Sequence, residues 1–398
     1  MQFVPCFRRY GFHSVLWIGV LAGLLLPTGF HVPARSGQTQ AASLQDVHSH
    51  TKTESTVKGV TVKLMSAHVM AARPLAMFYS MDDSPALQSL SAHASEMTVL
   101  APQCFWIGKD GSVYGALPSQ IAEIARRARL PIMPLVYNRG FLQPAVTAVL
   151  RNSSAQQRLI ENLVLLARRD HLLGFQIDFE NIDARDENLY SRFTQRAASA
   201  LHQDGRLLSV AVVPRFEDTS PGEWSAAYDY YALAEHADFL AVMAYDHSSR
   251  TGPPGPIAGY GWVKKAIEYA VARVPGDKLL LGIPLYGREW IEGGRDNQTE
   301  TVDYLKAATL LAEFSLVPRW DERWRSPWFE YKASGKAHSV WYEDARSVHE
   351  KLQLVQEYRL RGFAAWRLGM EDPRIWPVIS AMQEARPAAG DRVLEPAF

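Results

Sequence analysis

Residues 172–183 read LLGFQIDFENID, and this stretch decides how the rest of the chain is interpreted. Successive side chains of a β-strand point to opposite sides, so a period of two separates an apolar face from a polar one. The apolar face carries Phe175, Ile177 and Phe179, and the polar face carries Gln176, Asp178 and Glu180. On an exposed edge strand the polar face would simply meet water. The flanking sequence therefore has to show whether this strand lies at an edge or in a closed sheet.

Short apolar runs recur along the chain and alternate with helical patterns. The runs are LAMFY, MTVLAP, LPIMPLVYN, LGFQIDFE, LLSVAVVP, DFLAVMAYD, KLLLGIPLYG and GFAAWRLG, and the helical segments include SQIAEIARRAR, QQRLIENLVLLARRD, LYSRFTQRAASALHQD and DARSVHEKLQLVQEYRLR. Strands that alternate with helices in this way predict an α/β fold, a (β/α)8 TIM barrel. A doubly wound open sheet is the alternative, although no glycine-rich phosphate loop follows the first strand.

In a barrel, the polar face of the fourth strand points inward. Gln176, Asp178 and Glu180 would then lie near the C-terminal mouth, where such barrels keep their active sites. With a rise of about 3.3 Å per residue, Asp178 and Glu180 are about 6.6 Å apart at the backbone, so their side chains can meet. The charge on one carboxylate would raise the pKa of the other, which suits a general acid near neutral pH. Neutralisation of the pair by a nearby arginine is the structural alternative.

Three other strand ends carry aromatic and acidic side chains. VMAYD ends the sixth strand with Tyr245 and Asp246, GIPLYGREW ends the seventh with Tyr286 and Trp290, and AAWRLG ends the eighth with Trp366. A single aromatic residue here would usually be part of the core. Several of them around an acid pair predict a sugar site, because the apolar faces of sugar rings stack on aromatic rings.

Composition limits the possible partners. The chain has 398 residues, of which 47% are hydrophobic, so it can bury a large core. Its 42 basic and 42 acidic residues give a formal net charge of zero. Such a chain has no basic field for nucleic acid, and a neutral sugar polymer is compatible with it.

The N-terminal segment has the features of an export signal. Arg8 and Arg9 precede the run VLWIGVLAGLLL, and prolines and glycines follow it. The run is shorter than the roughly 20 apolar residues of a membrane span, although an uncleaved anchor remains an alternative. We therefore predict a signal peptide or anchor over residues 1–34 and an exported protein, either extracellular or in the cell envelope.

Three further segments follow from these patterns. Residues 35–72 are rich in Ser, Thr, Gln and His and predict a flexible linker. Residues 73–385 form the barrel domain, and residues 386–398 form a loose tail. Cys104 is alone once the signal is removed, and beside Phe105 and Trp106 it is predicted to be a core residue rather than a reactive thiol.

Taken together, DFEN, MAYD, GIPLYGR and WRLGMEDPRIW resemble the family 18 glycoside hydrolases in order and spacing. The resemblance covers residues 74–380, and it is strongest to the bacterial cell-wall and spore-wall N-acetylglucosaminidases. It implies a retaining glycosidase that acts on β-1,4-linked N-acetylglucosamine polymers, either chitin or peptidoglycan. It also implies substrate-assisted catalysis, an exception to the two-carboxylate scheme. No metal or organic cofactor is implied, and we expect a monomer.

The resemblance also implies a role for each residue at the mouth. Glu180 would protonate the glycosidic oxygen and later activate water, while the sugar's own acetamide would attack and give an oxazolinium intermediate. Asp178 would orient the acetamide N–H group and Tyr245 would bind its carbonyl oxygen. The remaining members of the predicted site hold the substrate: Trp366 under the distorted sugar, Asp246 and Tyr286 on hydroxyl groups, and Gln176 beside Asp178.

Two positions depart from the pattern of the family. Aspartates are usual at the positions of Leu173 and Gln176, and the Ser-x-Gly-Gly pattern of many chitinases is absent from LVYNRG. Gln176 can hydrogen-bond Asp178 but cannot share a proton with it, so Asp178 is predicted to stay turned toward Glu180. Leu173 is predicted to alter packing more than chemistry.

A long connection joins the seventh strand to the last predicted helix, from about residue 292 to 339. It resembles the place where the family inserts a small α+β domain, and here we predict a short insertion of that type. Its Trp320, Trp324 and Trp328 are either sugar platforms or packing residues. A non-catalytic, lectin-like protein on the same fold is the functional alternative, but relatives of that kind usually lose the acid, and Glu180 is present.

Overall fold

The computed structural model describes residues 74–218, 224–292 and 299–384. The predicted signal or anchor, the linker and the C-terminal tail all lie outside these residues. Within the described parts of the chain, no helix is both long enough and apolar enough to cross a membrane.

Eight parallel strands close into a barrel. In chain order they are β1 (Leu75–Ser80), β2 (Val99–Ile107), β4 (Leu135–Tyr137), β5 (Gly174–Asp178), β6 (Leu207–Val212), β7 (Phe239–Val242), β8 (Leu279–Pro284) and β14 (Gly362–Trp366). Each of the eight apolar runs of the sequence contributes one of them. β1 pairs with β14 on one side and with β2 on the other, which closes the ring. The TIM-barrel prediction is therefore confirmed, and the open doubly wound sheet is excluded.

Helices surround the barrel and bury their apolar faces against it. The described helices are α1 (Ser84–His93), α2 (Ser119–Ala128), α3 (Gln143–Leu150), α4 (Ser153–Arg169), α5 (Glu187–Gln203), α6 (Tyr230–His236), α7 (Tyr260–Val271), α8 (Tyr304–Glu313), α9 (Ala345–Glu357) and α10 (Ile375–Glu384). In α4 the side chain of Asn152 caps the first turn by accepting from the Ala155 N–H at 3.1 Å. Leu159, Leu163 and Ala167 recur at a spacing of four and are buried, as a helix with one core-facing stripe requires.

The lower part of the barrel interior is apolar. Leu173 is fully buried there, in a cluster with Leu75, Met77, Leu280 and other inward-facing strand residues. Its role in packing is thus confirmed. Toward the C-terminal mouth the inward-facing side chains become polar, so that the apolar layer lies beneath the polar side chains of the mouth.

The outer face of the strands packs against the helices in a second, larger cluster. Cys104 belongs to that cluster and is 9% exposed, and burial raises the pKa of its thiol. The prediction of a core cysteine is confirmed. Gly174 at the start of β5 is required by close contact, because a Cβ atom there would lie 1.8 Å from the carbonyl oxygen of Leu207 on β6.

A small antiparallel sheet follows the seventh barrel strand. Its strands are β9 (Gly287–Ile291), β10 (Thr299–Val302), β11 (Arg319–Asp321), β12 (Ser326–Ala333) and β13 (Lys336–Trp341), in the order β10-β9-β13-β12-β11, and α8 lies between β10 and β11. The α+β insertion is confirmed, but it begins about five residues earlier than predicted. The apolar run GIPLYGREW continues from the barrel into β9, and the alternation of residues alone does not show where the chain leaves one sheet for the other. One further strand, β3 (Val113–Gly115), forms a hairpin with β2.

Candidate active site

The polar face of the fourth barrel strand, β5, points into the barrel near its C-terminal mouth. Gln176 is fully buried and Asp178 is 4% exposed, and both lie within β5. Glu180 follows two residues beyond the strand, at the rim. These three side chains therefore lie one above another on the inner side of the barrel, as predicted from the period of two.

Both carboxylates lie in surroundings that favour the neutral form. Burial raises the pKa of Asp178. Burial also raises the pKa of Glu180 well above its usual range, and the negative charges of Asp178 and Asp246 raise it further. A hydrogen bond from the Trp224 side chain acts in the opposite direction, because it stabilises the carboxylate. These surroundings thus favour the protonated form of Glu180, which is the form that a general acid needs.

Gln176 is held from the neighbouring strand. Its Nε2 atom donates to the hydroxyl of Ser209 at 2.9 Å, and Ser209 is its register partner on β6. The Oε1 atom of Gln176 is buried and has no hydrogen-bond partner among the described residues. The Oε1 atom of Gln176 is therefore a free hydrogen-bond acceptor inside the barrel, directly beneath Asp178.

Tyr245 lies just beyond β7. Burial raises the pKa of its hydroxyl, and nearby Tyr79, Asp178, Tyr286 and Glu180 raise it further. The hydroxyl therefore remains protonated and lies close enough to the two carboxylates to feel their charge. It can donate a hydrogen bond to a substrate oxygen between them.

Asp246 and Tyr286, which lie at the ends of neighbouring strands, are in contact. The Tyr286 hydroxyl donates to Oδ1 of Asp246 at 2.5 Å. Arg288, at the start of the insertion, donates to the same oxygen at 2.7 Å and is itself 3% exposed. Asp246 has a positive φ of 59°, a conformation that aspartate tolerates better than most residues. Sequence analysis missed Arg288, although it lies inside the motif GIPLYGR.

The aromatic residues form one wall of the mouth. Trp366 ends β14, and its ring lies 5.3 Å from that of Tyr79, centroid to centroid. Tyr286 belongs to a buried cluster with Ile257, Trp290 and Trp341. The partly buried side chains that pack against this cluster are Tyr245, Trp324, Trp328, Trp366 and Met370. The structure thus joins the ends of the sixth, seventh and eighth barrel strands in a single patch.

The three tryptophans of the insertion all contact protein. Trp328 stacks on Trp341 with centroids 5.3 Å apart, Trp324 contacts His247, and the guanidinium of Arg346 lies over Trp320. Trp324 and Trp320 thus contact residues outside the insertion, whereas Trp328 stacks within it, and all three remain partly exposed. His247 is enclosed by aromatic rings, and burial lowers its pKa to about 4. No cluster of metal-binding side chains occurs among the described residues.

Three residues that sequence analysis did not single out hold Glu180 in place. Asn138, directly after β4, accepts from the Glu180 N–H at 2.9 Å and donates to the Glu180 carbonyl at 2.9 Å. The Tyr228 hydroxyl donates to the carbonyl of Phe179 at 2.6 Å. With the hydrogen bond from Trp224, the backbone and the carboxyl group of Glu180 are both fixed. Only the position of Asn138 at a strand end could have indicated this role.

This arrangement places a proton donor, a second carboxylate and a neutral hydroxyl around one opening lined by aromatic rings. Protonation of a leaving oxygen, with stabilisation of positive charge at the neighbouring carbon, is the chemistry that such a set can perform.

Comparison with known proteins gives consistent matches. The family model described as Glycosyl hydrolases family 18 matches residues 125–371. The cortical fragment-lytic enzyme of Bacillus subtilis is 29% identical over 303 residues, which are 74% of this chain and 70% of that protein.

Two solved structures match the barrel. The spore cortex-lytic enzyme SleL of Bacillus megaterium QM B1551 is similar at a TM-score of 0.72 and 30% identity, over 78% of this chain and 74% of its own. A chitinase from Chromobacterium violaceum ATCC 12472 is similar at a TM-score of 0.74 and 31% identity, over 79% of this chain and 100% of its own.

Proposed function

The chain belongs to family 18 of the glycosyl hydrolases and is a glycosidase, and from this premise we propose that it cleaves β-1,4-linked N-acetylglucosamine polymers by substrate-assisted catalysis. The observation that carries the proposal is the pair of carboxyl groups at the mouth, where desolvation and then the charges of Asp178 and Asp246 raise the pKa of Glu180. A neighbouring neutral hydroxyl, that of Tyr245, completes the set.

In the first step Glu180 gives its proton to the glycosidic oxygen. The carbonyl oxygen of the sugar's 2-acetamido group attacks C1 as the bond from C1 to the leaving oxygen breaks, which gives an oxazolinium intermediate. In the second step the Glu180 carboxylate takes a proton from water as that water attacks C1 and reopens the ring. Two inversions at C1 leave the configuration retained.

Asp178 and Tyr245 position the acetamide. Asp178 accepts from the acetamide N–H and stabilises the positive charge that develops on the oxazolinium ring. Tyr245 donates to the acetamide oxygen, and its raised pKa keeps the donor proton in place. Burial strengthens both interactions, because water does not compete with them.

Three further residues hold the sugar, and Gln176 lies beneath the site. Trp366 supplies an apolar floor, while Asp246 and Tyr286 bind hydroxyl groups and are held to each other by a hydrogen bond. The Oε1 atom of Gln176 has no hydrogen-bond partner in the described part of the chain and lies beneath Asp178. No cofactor takes part in this mechanism.

We place this activity outside the cytoplasm, on a glycan of the cell envelope, and in a monomeric enzyme. The apolar N-terminal run supports export, and the names of two relatives describe a cortical fragment-lytic enzyme and a spore cortex-lytic enzyme.

Product analysis tests the proposal. The purified protein is incubated separately with peptidoglycan and with chitin oligosaccharides, and the products are identified by mass. A thiazoline that mimics the oxazoline should inhibit, and a substrate with free glucosamine at the cleaved position should remain intact. Equal turnover of acetylated and deacetylated substrates would rule out participation of the acetamide.

A further inference from the structure

A row of aromatic side chains leads away from Asp178 along the rim of the barrel. Tyr137 on β4 is the register partner of Asp178, and Trp106 on β2 is the register partner of Tyr137. Neighbouring strands are about 4.8 Å apart, so the Cα atom of Trp106 lies about 10 Å from that of Asp178. Tyr114 on β3 pairs with Trp106, and the two rings are nearly parallel with centroids 6.2 Å apart. The row ends at the surface, where Tyr114 is 49% exposed.

One cation lies on this row. The guanidinium carbon of Arg139 is 5.0 Å from the centre of the Trp106 ring. Its charge also reaches Tyr137, where burial raises the pKa of the hydroxyl and Arg139 opposes the rise. Arg139 is exposed, and no ion pair joins it to a carboxylate of the described residues. Arg139 is therefore held over the Trp106 ring, and its guanidinium N–H groups remain free to donate hydrogen bonds to a ligand.

This cation lies next to the segment that holds the backbone of the proposed acid. The residues proposed to hold the cleaved sugar come from the ends of β7, β8 and β14, whereas β2 and β4 form another part of the ring. Asn138, the residue before Arg139, is hydrogen-bonded to the backbone of Glu180. A sugar that departs from the oxygen protonated by Glu180 would therefore lie next to the segment that carries Arg139.

We propose that Trp106, Tyr114 and Arg139 bind the leaving sugar, and that Arg139 binds a carboxylate on it. The proposal rests on the proposed function and narrows its substrate class. A fitting glycan alternates N-acetylglucosamine with an N-acetylated sugar that bears a lactyl ether at O3, as muramic acid does. Because O3 adjoins the O4 atom that Glu180 protonates, the lactyl carboxylate is carried toward Arg139. Chitin is neutral and offers no such partner.

The test compares two oligosaccharides of equal length and one substitution. One substrate is a chitin tetrasaccharide, and the other is a peptide-free tetrasaccharide in which N-acetylglucosamine alternates with N-acetylmuramic acid. Arg139→Gln should lower kcat/KM on the acidic substrate by roughly 10- to 100-fold, mainly through KM, since a charge-assisted hydrogen bond is lost. The loss on the chitin tetrasaccharide, which has no carboxylate for Arg139 to bind, should be much smaller. Arg126→Gln, on the exposed face of α2, is the matched control and should change neither.

A chemically modified substrate, combined with Arg139→Gln, completes a double-mutant cycle. Amidation of the lactyl carboxylate should lower kcat/KM of the wild type by a similar factor and have little effect on Arg139→Gln, because both changes remove the same contact. The preference of the wild type for the acidic substrate should also shrink as salt is added.

The outcomes separate this inference from the function on which it rests. Equal losses on the two tetrasaccharides, or no loss on either, would overturn the role of Arg139 while leaving the glycosidase intact. A wild type that cleaves chitin alone would also overturn it. A wild type that cleaves neither glycan would overturn the proposed function, and the inference with it.

Discussion

Gln176 is the position where a change of charge should be felt most clearly by the catalytic pair. It is fully buried, directly beneath Asp178 on the inner face of β5, and its side chain contacts Ser209 on the next strand. Gln176→Asp would place a carboxylate in that layer. Where it ionises, it should raise the pKa of Asp178 and of Glu180, because like charges disfavour each other's ionised form.

The size of the effect follows from the spacing of the strand. Position 176 is two residues from Asp178 and four from Glu180, so the backbone separations are about 6.6 and 13 Å. At an effective dielectric constant of about 20, a unit charge at these distances contributes about 2.5 and 1.3 kcal/mol. These energies correspond to a rise in the pKa of Asp178 by just under two pH units and in the pKa of Glu180 by about one. Since the introduced carboxyl group is itself buried and partly protonated, about one unit is the upper limit for Glu180.

The assay is kcat/KM against pH on one soluble N-acetylglucosamine oligosaccharide. The basic limb of this profile reports loss of the proton from the acid in the free enzyme, so Gln176→Asp should shift it upward. Gln176→Asn is the matched control, because it shortens the side chain equally without adding charge. An unchanged or lowered limb in Gln176→Asp, or the same upward shift in Gln176→Asn, would refute the electrostatic coupling.

Three further predictions concern the support of the acid and the stability of the barrel. Trp224→Phe removes a donor that stabilises the Glu180 carboxylate, so the basic limb should move upward by about one pH unit; an unmoved limb would contradict this role. Asn138→Ala removes both hydrogen bonds to the Glu180 backbone, and kcat should fall roughly 10-fold with little change in the pH limb, since the acid is displaced rather than recharged; a kcat at the wild-type value would contradict it. Lys351→Met removes the ammonium group 2.7 Å from the buried Glu343 carboxylate, which keeps the Ser347 hydroxyl but loses its cation, and should cost about 3 to 5 kcal/mol in the free energy of unfolding. Burial raises the pKa of Glu343, so protonation relieves this cost at low pH, and denaturant unfolding should show a larger loss at pH 8 than at pH 5; equal losses would contradict the buried charge.

The barrel could be predicted from the sequence because its signals are local. Each barrel strand is a short apolar run, and the period of two along FQIDFE already predicted that Asp178 and Glu180 share one face. The end of the seventh strand was harder to locate, because β8 and β9 are both apolar and almost continuous in the chain.

The support of the acid could not be predicted, because it depends on contacts between residues far apart in the chain. Asn138 reaches Glu180 across 42 positions, and Tyr228 reaches Phe179 across 49. Tyr228 belongs to no local pattern that indicates such a contact, and Asn138 is marked only by its position at a strand end. Arg288 is different, since it lies within a quoted motif, but only the fold shows that its guanidinium pairs with Asp246.

The central claim is that Glu180 donates the proton that starts hydrolysis of an N-acetylglucosamine glycan. Glu180→Gln keeps the size of the side chain and removes its acidic proton, so it tests that claim most directly. Turnover of a chitin or peptidoglycan oligosaccharide should fall by about 10²- to 10⁴-fold, while calorimetric titration should show that the variant still binds the same oligosaccharide. Turnover within a few-fold of wild type would show that another group is the acid.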